Sequence, residues 1–390
     1  MKRWLFAALV AACKASPAPP PPPPAPDPPP VVAKETPPPA AKPERGPLGD
    51  LEVQEVAETG RQPKGVFVSH DGKRIYTTNF GELQKKRTVS VFDADTLALV
   101  EDLDIPAETV EAAISPDDKT LYVSSFWTHS VMFFDLATKT VTHDVKVGAH
   151  PKVLALAKDG KTLYAANWSG DSVTEIDVAR AAVTRTLPTG KSPRGLVVSS
   201  KGIVYAAAFY ADVVEVFESD HHHRIKVCKC PRHLALSPDE KTLYVSCLFA
   251  SQLHAIDLAT ETLVHKVAIG TSPKSIAVGA DGRYVYSADY GATRSVSVVD
   301  THDWTSKVFT VPGMDRGSGV AVAADGEHAF VTGWYDAHVY KVGFAGGGGH
   351  PDEAKKRISA WIHKPFSADP GDEKKVEAAV DPAPAPVSSE

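Results

Sequence analysis

The chain has 390 residues, 43% of them apolar and 23% charged, and a net charge of -6. That much apolar material excludes a wholly disordered chain, and the acidic balance argues against a general polyanion partner while leaving room for a local basic patch. The longest apolar run, Trp4 to Ala12, has nine residues, under half of a membrane-spanning helix, which excludes an integral helical membrane protein. Of the 32 prolines, 16 lie between Pro17 and Pro47 and six from Pro351 onward, so the folded part lies in between.

Lys2 and Arg3 precede the apolar stretch, and small residues follow at Ala11 and Ala12, the order of a secretory signal over 1–12. Val10-Ala11-Ala12-Cys13 resembles the bacterial lipobox, which implies lipidation at Cys13; the other reading is a signal peptide with an incidental cysteine. The resemblance implies a bacterial envelope lipoprotein held by its lipid alone. Lys14 stands where an aspartate would signal retention in the inner membrane, which favours the outer one, facing the periplasm or the surface. The rest of 13–50, with Pro19 to Pro24 unbroken, reads as a stiff polyproline II stalk. At the other end, Gly346 to Gly349 form a linker, 351–363 can make one short helix, and the acidic Ala/Pro-rich remainder of 345–390 reads as disordered.

Between 51 and 344 a unit recurs: a turn residue, an alternating strand, an Asp-Gly type turn, a second strand opening on an aromatic, and a third ending in Asp. Pro63-Lys64, Asp71-Gly72 and Tyr76 set the pattern; Pro151, Pro231 and Pro273 open close copies, and Thr109, Pro193 and Gly317 weaker ones. These seven starts are 38 to 46 residues apart, about 42 on average. Period-two patterning, as at Leu154 and Leu156, excludes helical repeats, so the expectation is an all-β, seven-bladed β-propeller of four-stranded blades. The seventh unit lacks a fourth strand, while residues 51–60 have the pattern of one with no blade before them. They should complete blade seven and close the ring.

Tyr76-Thr77-Thr78-Asn79, Tyr122-Val123-Ser124-Ser125 and Tyr164-Ala165-Ala166-Asn167, with the Ser-Pro-Asp turns, resemble the YVTN-repeat seven-bladed β-propellers of prokaryotic surface and envelope proteins. The resemblance spans about 294 residues. It speaks for the fold and leaves the function open, since such propellers serve as binding scaffolds, lactonases and redox enzymes.

Registering the repeats gathers two residue classes on one face. Directly after the opening residue come Lys64, Lys152, Arg194, Arg232 and Lys274; four positions after the second-strand aromatic come Phe80, Phe126, Trp168, Phe209, Tyr290 and Trp334, with Leu248 in unit five. The expectation is a cationic ring at the channel mouth inside an aromatic collar. The aromatics can instead be wedges between blades, and the bases can pair with acids such as Glu111 or Asp289. Five like charges at one mouth nevertheless point to an anionic small molecule or glycan, with an envelope protein as the other candidate partner. Nothing in the sequence requires a cofactor or a partner copy of the chain, so a monomer is expected.

With Cys13 assigned to lipid, Cys228, Cys230 and Cys247 remain. Pairing the first two strands of unit five sets Cys247 almost opposite Arg232, one diagonal step from Cys230, which suggests a Cys230–Cys247 disulfide; a soft-metal site using Cys228, Cys230, Cys247 and His233 is the alternative. His221 to His223 read as a solvated turn on the opposite face. No glycine-flanked serine, His-Glu-x-x-His or Cys-x-x-Cys-His motif occurs, so no catalytic residue is assigned. The enzymatic alternative is lactone chemistry by His150 or His233 with Glu111, Arg194 or Arg232 holding the carboxylate.

Overall fold

The computed structural model describes residues 48–361 apart from 292, 347 and 348. The signal segment, Cys13, the proline-rich stretch to 47 and the tail beyond 361 lie outside the described residues. Within them the chain forms seven four-stranded antiparallel sheets, each a blade. Blade one comprises Pro63–Val68, Arg74–Asn79, Val89–Asp93 and Leu99–Leu103; blade five, Pro231–Leu236, Thr242–Cys247, Gln252–Asp257 and Thr262–Ala268. Blade seven takes Gly317–Val322, His328–Gly333 and His338–Phe344 from the end of the array. Its fourth strand is Leu51–Glu58, pairing from Leu51 opposite Phe344 to Glu58 opposite His338. The closure expected from residues 51–60 is therefore present.

Burial explains the composition of each strand. Middle strands are covered on both faces by neighbouring blades, as in Thr162–Asn167, where all but the first residue are buried, so small and apolar residues alternate there. Outer strands such as Ala182–Pro188 are exposed except at Leu187 and carry polar residues. The cores lie between blades: Tyr122, Val131 and Phe133 of blade two meet Leu154, Leu163 and Ile176 of blade three. The aromatic that marks each repeat, from Tyr76 to Phe330, is buried in these seams. Burial drives the Tyr76 and Tyr244 phenols up to about 12. The Asp-Gly turns are set by left-handed residues such as Gly72 and Gly160, at φ 73° and 71°, where glycine is unstrained.

A helix, Pro351–Trp361, lies against the closing strand. Ala354 and Ile358 are buried in the core shared by blades six and seven, and Arg357 donates to the carbonyl of Val56 at 3.3 Å.

Candidate functional site

The innermost strands share one irregularity. Pairing between first and second strands slips after the opening residue, between Pro63 and Val66 in blade one and Pro231 and Leu234 in blade five. The slip frees an N–H from the ladder, and a hydroxyl on the second strand accepts it. Gly65 donates to Thr78 Oγ1 at 2.8 Å, Glu111 to Ser124 Oγ at 3.0 Å, His233 to Ser246 Oγ at 2.9 Å and Gly319 to Thr332 Oγ1 at 2.9 Å. Thr78 and Ser124 then donate to Val110 and Lys152 carbonyls of the next blade, each at 2.8 Å. These bridges tie the inner-strand starts of blades two and three to the blade before, while Ala166, Ala207 and Ala288 stand at the hydroxyl position of blades three, four and six.

The residue after the opening position is the base of the ring. Lys64, Lys152, Arg194, Arg232 and Lys274 line one cavity, with Glu111 and His233. All five are buried, between 1% and 5% exposed, which long cationic side chains rarely are unless something compensates them. Aromatic faces supply part of the compensation. Lys152 Nζ lies 4.0 Å from the Trp168 ring centroid and the Arg194 guanidinium 4.5 Å from the same ring, so one tryptophan serves two cations. Trp334 does the same for Lys274 at 4.5 Å and Lys64 at 5.4 Å, while Phe80, Phe126, Phe209 and Tyr290 lie within 6 Å of one ring cation each. Blade five has Leu248 in place of an aromatic.

The aromatics do not form an open collar. Phe80, Phe126, Trp168, Phe209 and Trp334 are at most 5% exposed and Tyr290 is half-buried, because the rings are wedged between cations and blades. The exposed rings are one residue further along the same turns, Trp127 at 50%, Tyr210 at 37% and Phe249 at 54%. Trp127 packs edge-on to Phe126, and Tyr210 to Phe209. Sequence reasoning passed over this second position, although the signal was there in the paired aromatics Phe126-Trp127, Phe209-Tyr210 and Trp334-Tyr335.

Glu111 and His233 occupy the position after the ring base, and glycines in neighbouring blades make room for them. A Cβ on Gly65 would lie 2.2 Å from Glu111 Oε2, and one on Gly195 would lie 2.8 Å from His233 Cα. Enclosure in the channel drives the Glu111 carboxyl up to about 7, against the opposing pull of Lys64, Lys274, Arg232 and Arg194. Burial, reinforced by Arg232 and Arg194, pushes His233 down to about 4, so it is neutral at physiological pH. Its Nδ1 accepts from Ile276 N–H at 3.5 Å.

His150 does not join them. It stacks on Phe126 and bonds Ser169 Oγ through Nδ1 at 2.8 Å, away from the cavity lining. Asp289 does not answer the ring either; Ser287, Ser295 and Ser297 donate to its carboxylate at 2.7 to 2.8 Å, and burial still raises it to about 7.

The cysteine pairing departs from expectation. The disulfide joins Cys228 and Cys247, not Cys230 and Cys247, and Cys230 is a buried free thiol. Cys247 stands opposite Pro231, and the chain before that proline turns through a left-handed residue at Cys230, φ 52°. The turn sends Cys230 toward Trp168, Phe209 and Leu248 and leaves Cys228, in the connecting loop, to meet Cys247. With two of the thiols bonded, the alternative metal set of Cys228, Cys230, Cys247 and His233 is not assembled. His221 to His223 belong to the strand His221–Lys226 rather than to a turn, with His222 and His223 paired to Glu215 and Glu261.

Residues 137–341 match the family model described as YNCE-like β-propeller, and 52–183 match the one described as lactonase, 7-bladed β-propeller. No curated protein matches the sequence at a significant level. Among solved structures, the chain resembles a Kuenenia stuttgartiensis hydrazine synthase chain with a TM-score of 0.65 at 18% identity, over 74% of this chain and 97% of that one. It also resembles a streptogramin B lyase with a TM-score of 0.64 at 12% identity, over 76% of this chain and 97% of that one. At these identities the likeness concerns the fold.

Proposed function

The chain belongs to the YNCE-like β-propeller family, and from that footing we propose that it is a binding module whose inner-strand ring takes up an anionic small molecule or glycan. One observation carries the reading: the cavity lining holds five bases and one acid, and that acid is pushed toward its neutral form. Like charges gathered at one mouth repel, and a bound carboxylate or phosphate offsets that repulsion for every pair it bridges. The exposed Trp127, Tyr210 and Phe249 would extend the contact to sugar rings or to a protein partner. A thermal-shift panel of carboxylates, sugar phosphates and uronic acids should raise the melting temperature with at least one of them, while neutral analogues leave it unchanged.

Lactone opening is the second reading, because Glu111 and His233 share the cavity with Arg194 and Arg232. There the Glu111 carboxylate would activate water and the guanidiniums would hold the carbonyl oxygen. Glu111→Gln separates the two. A binding ring loses its pH dependence and binds the anion at pH 8 at least as well as the wild type, whereas a lactonase loses turnover. Wild-type affinity should rise as pH falls through about 7, because protonation of Glu111 removes the one negative charge from the ring.

The same reading places the domain in a bacterial envelope through a lipid on Cys13, supported by the Val10-Ala11-Ala12-Cys13 pattern and the proline-rich stretch behind it. Cys13→Ser should then move the protein from the membrane fraction to the soluble one.

A further inference from the structure

In blades one, three, four and six the 4-to-1 connection is latched at a spot defined by three corners: the residue three before the opening position, the last residue of the second strand, and a side chain on the third strand. In blade six the corners are Gly270, Asp289 and Ser297, with Gly270 N–H donating to Ser297 Oγ at 2.8 Å and Ser297 Oγ to Asp289 at 2.7 Å. In blade three they are Gly148, Asn167 and Thr174, with Asn167 Nδ2 donating to Thr174 Oγ1 at 2.8 Å. In blade four the third-strand corner is Glu215, accepting from Gly190 N–H at 2.6 Å. These latches are hydrogen-bonded, and each first corner is glycine because a Cβ would collide with the second or third, at 2.1 Å from Asp289 Oδ2 in blade six.

Blade five carries metal-ligating side chains at all three corners. They are Cys228, Cys247 and His254, whose sulfurs and one imidazole nitrogen lie within 4.8 Å of one another. Cys247 is fully buried and His254 is 6% exposed, while Cys228 sits in the connecting loop. Gln252 Oε1 meets His254 Nε2 at 3.0 Å and orients the ring. Two thiolates and an imidazole are the donor set of thiophilic d10 ions.

We propose that Cys228, Cys247 and His254 form a redox-gated metal site, closed by the disulfide and opened by a dithiol reductant to bind zinc or copper(I). In the opening step the Cys228–Cys247 bond breaks as the reductant closes its own disulfide. Two electrons pass to the protein sulfurs, and the reductant's two thiol protons end on them. Metal binding then releases both protons to solvent and places the ion on two thiolates and the imidazole. The loop has ties that do not involve the disulfide, Cys230 N–H donating to Asp212 Oδ1 at 2.9 Å and Val227 N–H to the Asp212 carbonyl at 3.1 Å, so the site should survive reduction.

The test uses the full chain with Cys13→Ser and Cys230→Ala, which leaves Cys228 and Cys247 as its cysteines, and cobalt(II) as a spectroscopic probe with zinc as competitor. After treatment with a dithiol, one equivalent of cobalt should give a thiolate-to-metal charge-transfer band in the near ultraviolet, displaced by zinc. The oxidised protein should give none, and His254→Ala should weaken binding at least tenfold. Equal cobalt spectra before and after reduction, or unchanged affinity in His254→Ala, would overturn the proposal. So would loss of the native circular dichroism on reduction, since the site requires the latch to hold without its bond.

Discussion

At the scale of single residues, three buried carboxylates are raised to about 7, Glu111, Asp289 and Asp336, and Asp289 gives the clearest test. Asp289 occupies the second corner of the blade-six latch, where blades one and three have Asn79 and Asn167. In blade three Asn167 Nδ2 bonds Ser172 and Thr174 hydroxyls; in blade six Ser295 and Ser297 donate to Asp289 instead. Hydroxyls can reverse their direction, so Asp289→Asn should be accommodated. The folded pKa of Asp289, about 7, lies above the unfolded carboxylate value of about 4. The folded state therefore binds the proton more tightly, and the stability contributed by the protonated form is lost as pH rises from about 4 through 7. The variant should match the wild type near pH 4.5 and exceed it at pH 8 by on the order of 1 to 3 kcal/mol. Urea titrations at the two values check this; equal stability differences at both would contradict the assignment. The ring bases were legible in the sequence because each follows a repeat start by one residue. The true disulfide partner was not, since a left-handed residue at Cys230 redirects the loop and no strand register reports it.

At the scale of elements, closure of the ring depends on a strand and a helix that come from opposite ends of the described chain. Leu51–Glu58 completes blade seven, and Pro351–Trp361 lies on it. Glu55, 3% exposed, meets His350 Nδ1 at 2.6 Å and Arg357 at 3.6 Å, so the closing strand and the helix segment share a buried carboxylate. Ile358 seals the contact at 4% exposure. Without the helix the last strand would present an unpaired edge, the arrangement that invites pairing between chains. Ile358→Asp should cost about 2 to 4 kcal/mol, the loss of a buried side chain plus the burial of a charge, and should raise the tendency to aggregate on heating. Differential scanning calorimetry with light scattering reads both; an unchanged melting temperature would show that the helix does not support closure. The closing strand was readable from its alternation and its lack of a blade, and a short helix at this point from its composition. Its seat on the closing strand was not, because a surface helix with two buried residues has little periodic signal.

At the scale of the whole molecule, near-sevenfold repetition turns a one-residue feature into a ring. A base after each opening proline is unremarkable in one strand, but five of them converge on one cavity because the repeat brings the same inner-strand position of each blade to the channel. The aromatics stand where the register puts them, as wedges between blades rather than as an open collar, the second of the two readings the sequence allows. Sequence register says which residues share a turn, whereas depth depends on how closely blades approach, and glycines such as Gly65 and Gly195 set that approach. The most direct test of the central claim is calorimetric titration of the anion that binds most strongly in the panel, against the wild type and Arg194→Gln/Arg232→Gln, at low and at tenfold higher chloride. Binding that weakens with chloride and falls at least tenfold in a double variant with an unchanged melting temperature is the predicted result. Affinity that is the same in both proteins and at both chloride concentrations would contradict it.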